Sequence, residues 1–248
     1  MAAATAAPTL YLVYLDRHHL GDALFLKSMA QHFAQSGSEA PSTLLVHGSG
    51  EKVERTLEAQ GYFPERTEGV LDVATDEQRR LVERAVREVN QELVATLTDE
   101  VVSTVGIQGV DRGLLQREED GALQASDAGW VSALIKQHVI PVVSALVENP
   151  DTGKVHEVQP AKAVVALART LEASFSPVAC MFTTAEQSGL PDGTGGVLDD
   201  ASVDTIRGEH VPNPEAVRGL FNAGLPVLIT SPQGLLTGNC PTGTRLRA

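Results

Sequence analysis

The sequence predicts an α/β protein, a three-layer α/β/α sandwich around a mainly parallel central sheet. Three observations carry that expectation. Short apolar runs at residues 9–15, 43–46 and 177–182 read as strands buried on both faces. Helical patterns with one apolar face lie between such runs, so strands and helices alternate along the chain. The composition, 42% apolar and 21% charged over 248 residues, suits a packed globule. With no internal repeat and no low-complexity linker, one continuous domain over residues 1–248 is expected.

The elements follow in order. Residues 9–15 form the first strand, and a helix over about 21–35 places Leu26, Met29, Ala30 and Phe33 on one face, with Gly37 closing it. The second strand, 43–46, runs through His47-Gly48-Ser49-Gly50 into a helix over 51–60. The longest periodic segment spans 75–97. There Leu81, Ala85, Val89, Leu93 and Leu97 recur every four residues, and Thr75-Asp76-Glu77-Gln78 supplies the cap and first-turn acids. Residues 101–107 read as a strand entering a glycine-containing turn to Asp111, and 114–124 as a hairpin turning at Asp120-Gly121. A short helix at 130–137 precedes a strand at 139–147, and the turn Asn149 to Gly153 leads to an extended stretch at 154–158. Pro160 opens the next helix, with Val164, Val165, Leu167, Ala168 and Leu171 apolar. A strand at 177–182, a glycine-rich loop at 184–197, a helix at 214–222 and strands at 225–230 and 244–247 complete the chain.

Charge and cysteine usage narrow the function. A net charge of −13 argues against nucleic-acid and anionic-membrane partners, because a phosphate surface would be repelled. Met1 to Pro8 carries no basic leader, and no apolar run approaches the roughly 20 residues needed to cross a bilayer, so a cytoplasmic protein is expected. Cys180 and Cys240 lack C-x-x-C spacing and read as free thiols, and His18-His19 has no second ligand cluster, so no metal site is expected.

The most telling stretch is Val46-His47-Gly48-Ser49-Gly50, a strand passing through a glycine-rich turn into a helix start. The first N–H groups of a helix lack partners within it, its dipole adds positive charge there, and glycine lets a ligand approach the backbone. A phosphate or carboxylate suits this turn. A tight connection with Ser49 as N-cap explains the same residues without a ligand. Neither a P-loop lysine nor a third dinucleotide-binding glycine is present.

Several stretches together resemble the amino acid kinase family. They are Val46 to Gly50, Thr75-Asp76-Glu77 with Val89-Asn90-Gln91-Glu92-Leu93, Val105 to Asp111, Val139 to Val143 and Gly243-Thr244-Arg245-Leu246. The resemblance is strongest to members that phosphorylate the side-chain carboxylate of an N-acylated glutamate in arginine biosynthesis. It implies an amino acid kinase (carbamate kinase-like) fold, a small amino-acid derivative as substrate, ATP and Mg²⁺ as cofactors, and a homo-oligomer formed on the face carrying Phe25 and Met29. It assigns substrate or phosphate contacts to His47, Gly48, Ser49, Gly50 and Gln159, and nucleotide contacts to Thr183, Thr184 and Asn213.

The chain departs from the family pattern where charge matters most. The first strand ends Tyr14-Leu15-Asp16-Arg17 where the family has a lysine and a glycine pair, leaving Arg17 as a substitute catalytic cation. Gln159-Pro160-Ala161 replaces the family's N-A-D, and Asn213 stands where a second lysine belongs. Two functions therefore compete: an ATP-dependent carboxylate phosphotransferase with relocated charges, and a catalytically silent member acting as ligand sensor or subunit partner. A scaffold whose role is assembly is the third alternative.

Overall fold

The computed structural model describes residues 7–67, 69–118, 122–184, 187–236 and 240–248. Strand β1 (Thr9–Leu15) leads to helices α1 (Arg17–Gly21) and α2 (Ala23–Ser36), strand β2 (Thr43–His47) and helix α3 (Glu51–Glu58). A small hairpin, β3 (Arg66–Thr67) and β4 (Val70–Leu71), precedes the long helix α4 (Asp76–Asp99) and strand β5 (Thr104–Gln108). Next come β6 (Leu115–Arg117), β7 (Leu123–Ala125), α5 (Gly129–Lys136), β8 (Ile140–Ser144), β9 (Leu146–Glu148), β10 (Val155–Glu157) and α6 (Pro160–Leu171). The last third holds β11 (Ser176–Phe182), β12 (Asp200–Ser202), α7 (Pro214–Asn222), β13 (Val227–Thr230), α8 (Pro232–Leu236) and β14 (Thr244–Arg247).

Eight strands form the central sheet in the order β12-β14-β13-β11-β1-β2-β8-β5, and every neighbouring pair is parallel except β13 with β14. The alternation along β1 sorts the two cores. Leu10, Leu12 and Tyr14 face the apolar sides of α5, α6 and α7, whereas Val13 and Leu15 pack with Met29, Ala30 and Phe33 of α2 and Leu93 and Leu97 of α4. This is the expected three-layer α/β/α architecture. A second sheet, β10-β9-β6-β7, lies beside it, and α3 packs on α4 through Val53, Leu57, Val82 and Val86.

Several expectations are corrected. The stretch at 139–147 is two strands, because the chain changes sheets at Ala145: its N–H still donates to the His47 carbonyl of β2 (2.8 Å), while its carbonyl turns away and accepts from Val158 (2.9 Å). The strand expected from 101 starts at Thr104, since α4 unwinds through Val101 at φ +64°. Asp22 splits the first helical region by capping α2, accepting from the N–H groups of Leu24 and Phe25. The N-cap of α3 is Gly50, without a side-chain bond, and not Ser49. The turn at Asp120-Gly121 lies outside the described residues, although β6 and β7 pair antiparallel on either side of it. Of the two residues expected on an oligomer face, Met29 is 1% exposed in the core, whereas Phe25 is half-buried, with its ring 4.2 Å from His19 and 5.5 Å from Phe182. Cys180, in the middle of the sheet, is fully buried, and Cys240 is exposed. Among the described residues no helix is long and apolar enough to cross a membrane.

Candidate functional site

Beyond the carboxyl ends of β1 and β2 the chain encloses a cavity of about 150 Å³. Its walls are the Gly48-Ser49 turn, Tyr14 to Arg17, Arg66 from the β3–β4 hairpin, Glu157 with Pro160, and Asn213. Gly48 is required by closeness, because a Cβ there would run into the Glu157 carboxylate and stand 2.7 Å from Cγ of Pro160.

Ser49 sits between two oppositely charged side chains. Its backbone N–H donates to Oε1 of Glu157 at 2.5 Å, and its hydroxyl accepts from Nη1 of Arg66 at 3.2 Å. The position where a loop of this kind holds an anion is thus filled by the protein's own carboxylate. Arg66 also donates through Nη1 to the Gly69 carbonyl (2.7 Å) and through Nε to Glu54 (2.7 Å). Glu54 receives Arg17 as well, at 2.9 Å. One atom of each member of the pair is left over: Nη2 of Arg66 and Oε2 of Glu157 are buried without a hydrogen-bond partner, the two such side-chain atoms found among the described residues.

The electrostatics follow from this packing. Burial pushes the Glu157 carboxyl up, opposed by the Ser49 bonds and the charge of Arg66. Burial works the same way on Glu54, but hydrogen bonds and charge from Arg66 and Arg17 outweigh it and hold that carboxyl below its usual range. Burial also raises the Tyr14 phenol, with Asp16 adding to the effect. Tyr14 therefore faces the cavity as a neutral hydroxyl.

The residues singled out from sequence divide into three groups. Arg17, Gly48, Ser49 and Asn213 meet in this cavity. Arg17, half-exposed, is already paired with Glu54. Asn213 caps α7 by accepting from the Ala216 N–H (3.0 Å), and its amide lies 3.4 Å from the Tyr14 hydroxyl. Thr183 and Thr184 line a separate cleft of about 550 Å³ with His19, Phe25 and Ser231, and His18 borders both spaces. Their hydroxyls are engaged: Thr183 donates to the Gln187 carbonyl (2.9 Å) and Thr184 to that of Glu209 (2.7 Å).

The third group, His47, Gly50 and Gln159, is absent from the lining of either space. The imidazole of His47 is wholly buried, with Nδ1 3.0 Å from the Gly48 carbonyl and Nε2 3.0 Å from the Asn90 amide nitrogen. Asn90 can only donate from that atom, so Nε2 accepts and Nδ1 carries the proton. Burial pushes this histidine down to about 4, partly opposed by the Gly48 bond. The turn at Ile107 to Asp111 ties to β8, with the Gly109 N–H on the Ser144 carbonyl (3.0 Å). Arg66 and Glu157 were not anticipated. Glu157 stands two residues before Gln159, and the turn at Gly69 (φ +84°) was the local signal available for the hairpin carrying Arg66.

A mainly parallel sheet with a glycine turn and a helix start at its carboxyl edge defines a class of proteins that hold small anionic ligands there. The model of the amino acid kinase family matches residues 16–175, and the chain belongs to that family. It is 29% identical to the acetylglutamate kinase of Streptomyces griseus over 189 residues, covering 65% of this chain and 60% of that enzyme. It is 27% identical to the acetylglutamate kinase of Geobacter sulfurreducens over 213 residues, 77% and 70% of the two chains. Among solved structures, N-acetylglutamate synthase from Neisseria gonorrhoeae, complexed with coenzyme A and N-acetyl-glutamate, superimposes with a TM-score of 0.68 at 18% identity, covering 98% of this chain and 60% of that one.

Proposed function

We propose that this chain binds the carboxylate of a small amino-acid derivative in the Gly48-Ser49 cavity, on a kinase fold that lacks the charge for ordinary phosphoryl transfer. The observation that carries the reading is Arg66, anchored on Ser49 and Glu54 with Nη2 buried and uncommitted. A ligand carboxylate would satisfy that donor with a charge-assisted bond.

Phosphoryl transfer asks mainly for positive charge gathered around the moving group. The two arginines of this cavity share Glu54, and Asp16 and Glu157 add two further carboxyls. None of the five lysines, Lys27, Lys52, Lys136, Lys154 and Lys162, is among the residues lining it. Removing one preorganised donor from such a site costs on the order of 100- to 1,000-fold in rate. The side chains present therefore do not fit a Mg-ATP site of the usual kind. A phosphotransferase reading retains one support, the roomy cleft beside the cavity at Thr183 and Thr184.

Two measurements test the proposal. Calorimetric titration with small amino-acid carboxylates, N-acetyl-L-glutamate among them, is expected to show saturable binding that Arg66→Gln weakens by about 10- to 100-fold, the value of a hydrogen bond to a charged group. Incubation with Mg-ATP and N-acetyl-L-glutamate, trapping acylphosphate as the hydroxamate, is expected to yield no saturable product. Saturable product would overturn the silent reading in favour of an active phosphotransferase.

A further inference from the structure

We infer that Glu157 is an autoinhibitory plug in the glycine turn: its carboxylate holds the Ser49 N–H that an outside phosphate would otherwise take, and so closes the turn to inorganic phosphate. The inference goes beyond the carboxylate reading above, which places its ligand on Arg66, and stands or falls without it.

The contact is the one an anion makes. Oε1 of Glu157 accepts from the Ser49 N–H at 2.5 Å, at a turn that leads through the N-cap Gly50 into the positive end of α3. Gly48 is the residue that admits it, since a Cβ there would run into that oxygen. The bare backbone that lets a ligand approach such a turn therefore serves the chain's own carboxylate. Arg66 reaches the same Ser49 through its hydroxyl, and its charge together with the Ser49 bonds favours the ionised carboxylate against burial.

The backbone holds this carboxylate in place. Glu157 pairs with Leu146 of β9, and the Val158 N–H donates to the Ala145 carbonyl (2.9 Å). Pro160 then opens α6. A side chain carried in this way meets the turn as an intramolecular partner, at an effective concentration that dilute phosphate does not match. An incoming phosphate would also leave the buried carboxylate without its hydrogen bond and beside a like charge. Asp16, the other carboxylate lining the cavity, is engaged elsewhere: Oδ1 accepts from the N–H groups of His18 and His19, and Oδ2 lies 2.9 Å from Nδ1 of His19.

The test is titration of the whole chain with inorganic phosphate, followed by calorimetry and by the amide resonance of Ser49. The unaltered protein is expected to show no saturable binding. Glu157→Gln keeps the size of the side chain and removes its charge, whereas Glu157→Ala removes the plug. Both are expected to bind phosphate saturably, about tenfold or more tighter than the limit set by the unaltered chain, because the charged acceptor that competes for Ser49 is gone. The Ser49 resonance is expected to move in step. A cooperative urea transition identifies the folded variants, and Glu157→Gln decides the matter if Glu157→Ala does not fold. Saturable movement of the Ser49 resonance in the unaltered chain overturns the inference. So does failure of every folded variant to bind, or binding that leaves the Ser49 resonance where it was.

Discussion

His47 belongs by sequence to the anion-binding turn and by structure to the packing beneath it. Its ring donates a hydrogen bond to the Gly48 carbonyl and accepts one from Asn90, tying β2 to α4 just where the turn begins. A wholly buried imidazole in this setting is neutral when folded, at about 4, but takes up a proton near 6.5 once unfolded. The unfolded chain then binds more protons between those values, so stability is full above pH 6.5 and falls as pH drops toward 4. From this residue the loss is on the order of 3 kcal/mol. Urea titrations across that window are expected to show a slope that His47→Gln flattens; equal slopes in both proteins would clear His47 of the effect. The glycine turn was legible because its chemistry is local. Arg66 and Glu157 were not, because a hairpin and a strand break bring them to Ser49 from 17 and 108 residues away.

Among the elements, α4 shows what periodicity can and cannot report. Its apolar repeat and its opening residues predicted both its extent and its start, where the Thr75 hydroxyl accepts from the Gln78 N–H and the Gln78 side chain answers to the backbone of Thr75. Thr75→Ala removes half of that box. A loss of about 1 kcal/mol is expected, read as a lower urea midpoint at unchanged slope. The strand at 139–147 is the opposite case. Every residue from Ile140 to Val147 is buried, so burial alone gave no sign that the chain changes sheets at Ala145. That change is a tertiary event: it sets up β9 and β10 and so delivers Glu157 to the cavity. The short β12 and α8 carry too few residues to show a period, which is why they too escaped notice.

For the whole molecule, the alternation of strand and helix was enough to foretell three layers and a mainly parallel sheet, and thus the edge at which a ligand would lie. The walls of the cavity come from five separate segments, and their meeting depends on the packing of all three layers. The same packing leaves the two thiols in opposite worlds. At pH 8 a thiol-specific chromogenic reagent is expected to modify exposed Cys240 within the mixing time, whereas Cys180, buried at mid-sheet with its thiol pushed up by that burial, reacts only when the sheet opens. Two fast equivalents per chain would refute this. The slow phase is a clock for global opening that needs no introduced label, and any molecule that settles in the cavity must lengthen its interval by the factor through which it favours the folded chain.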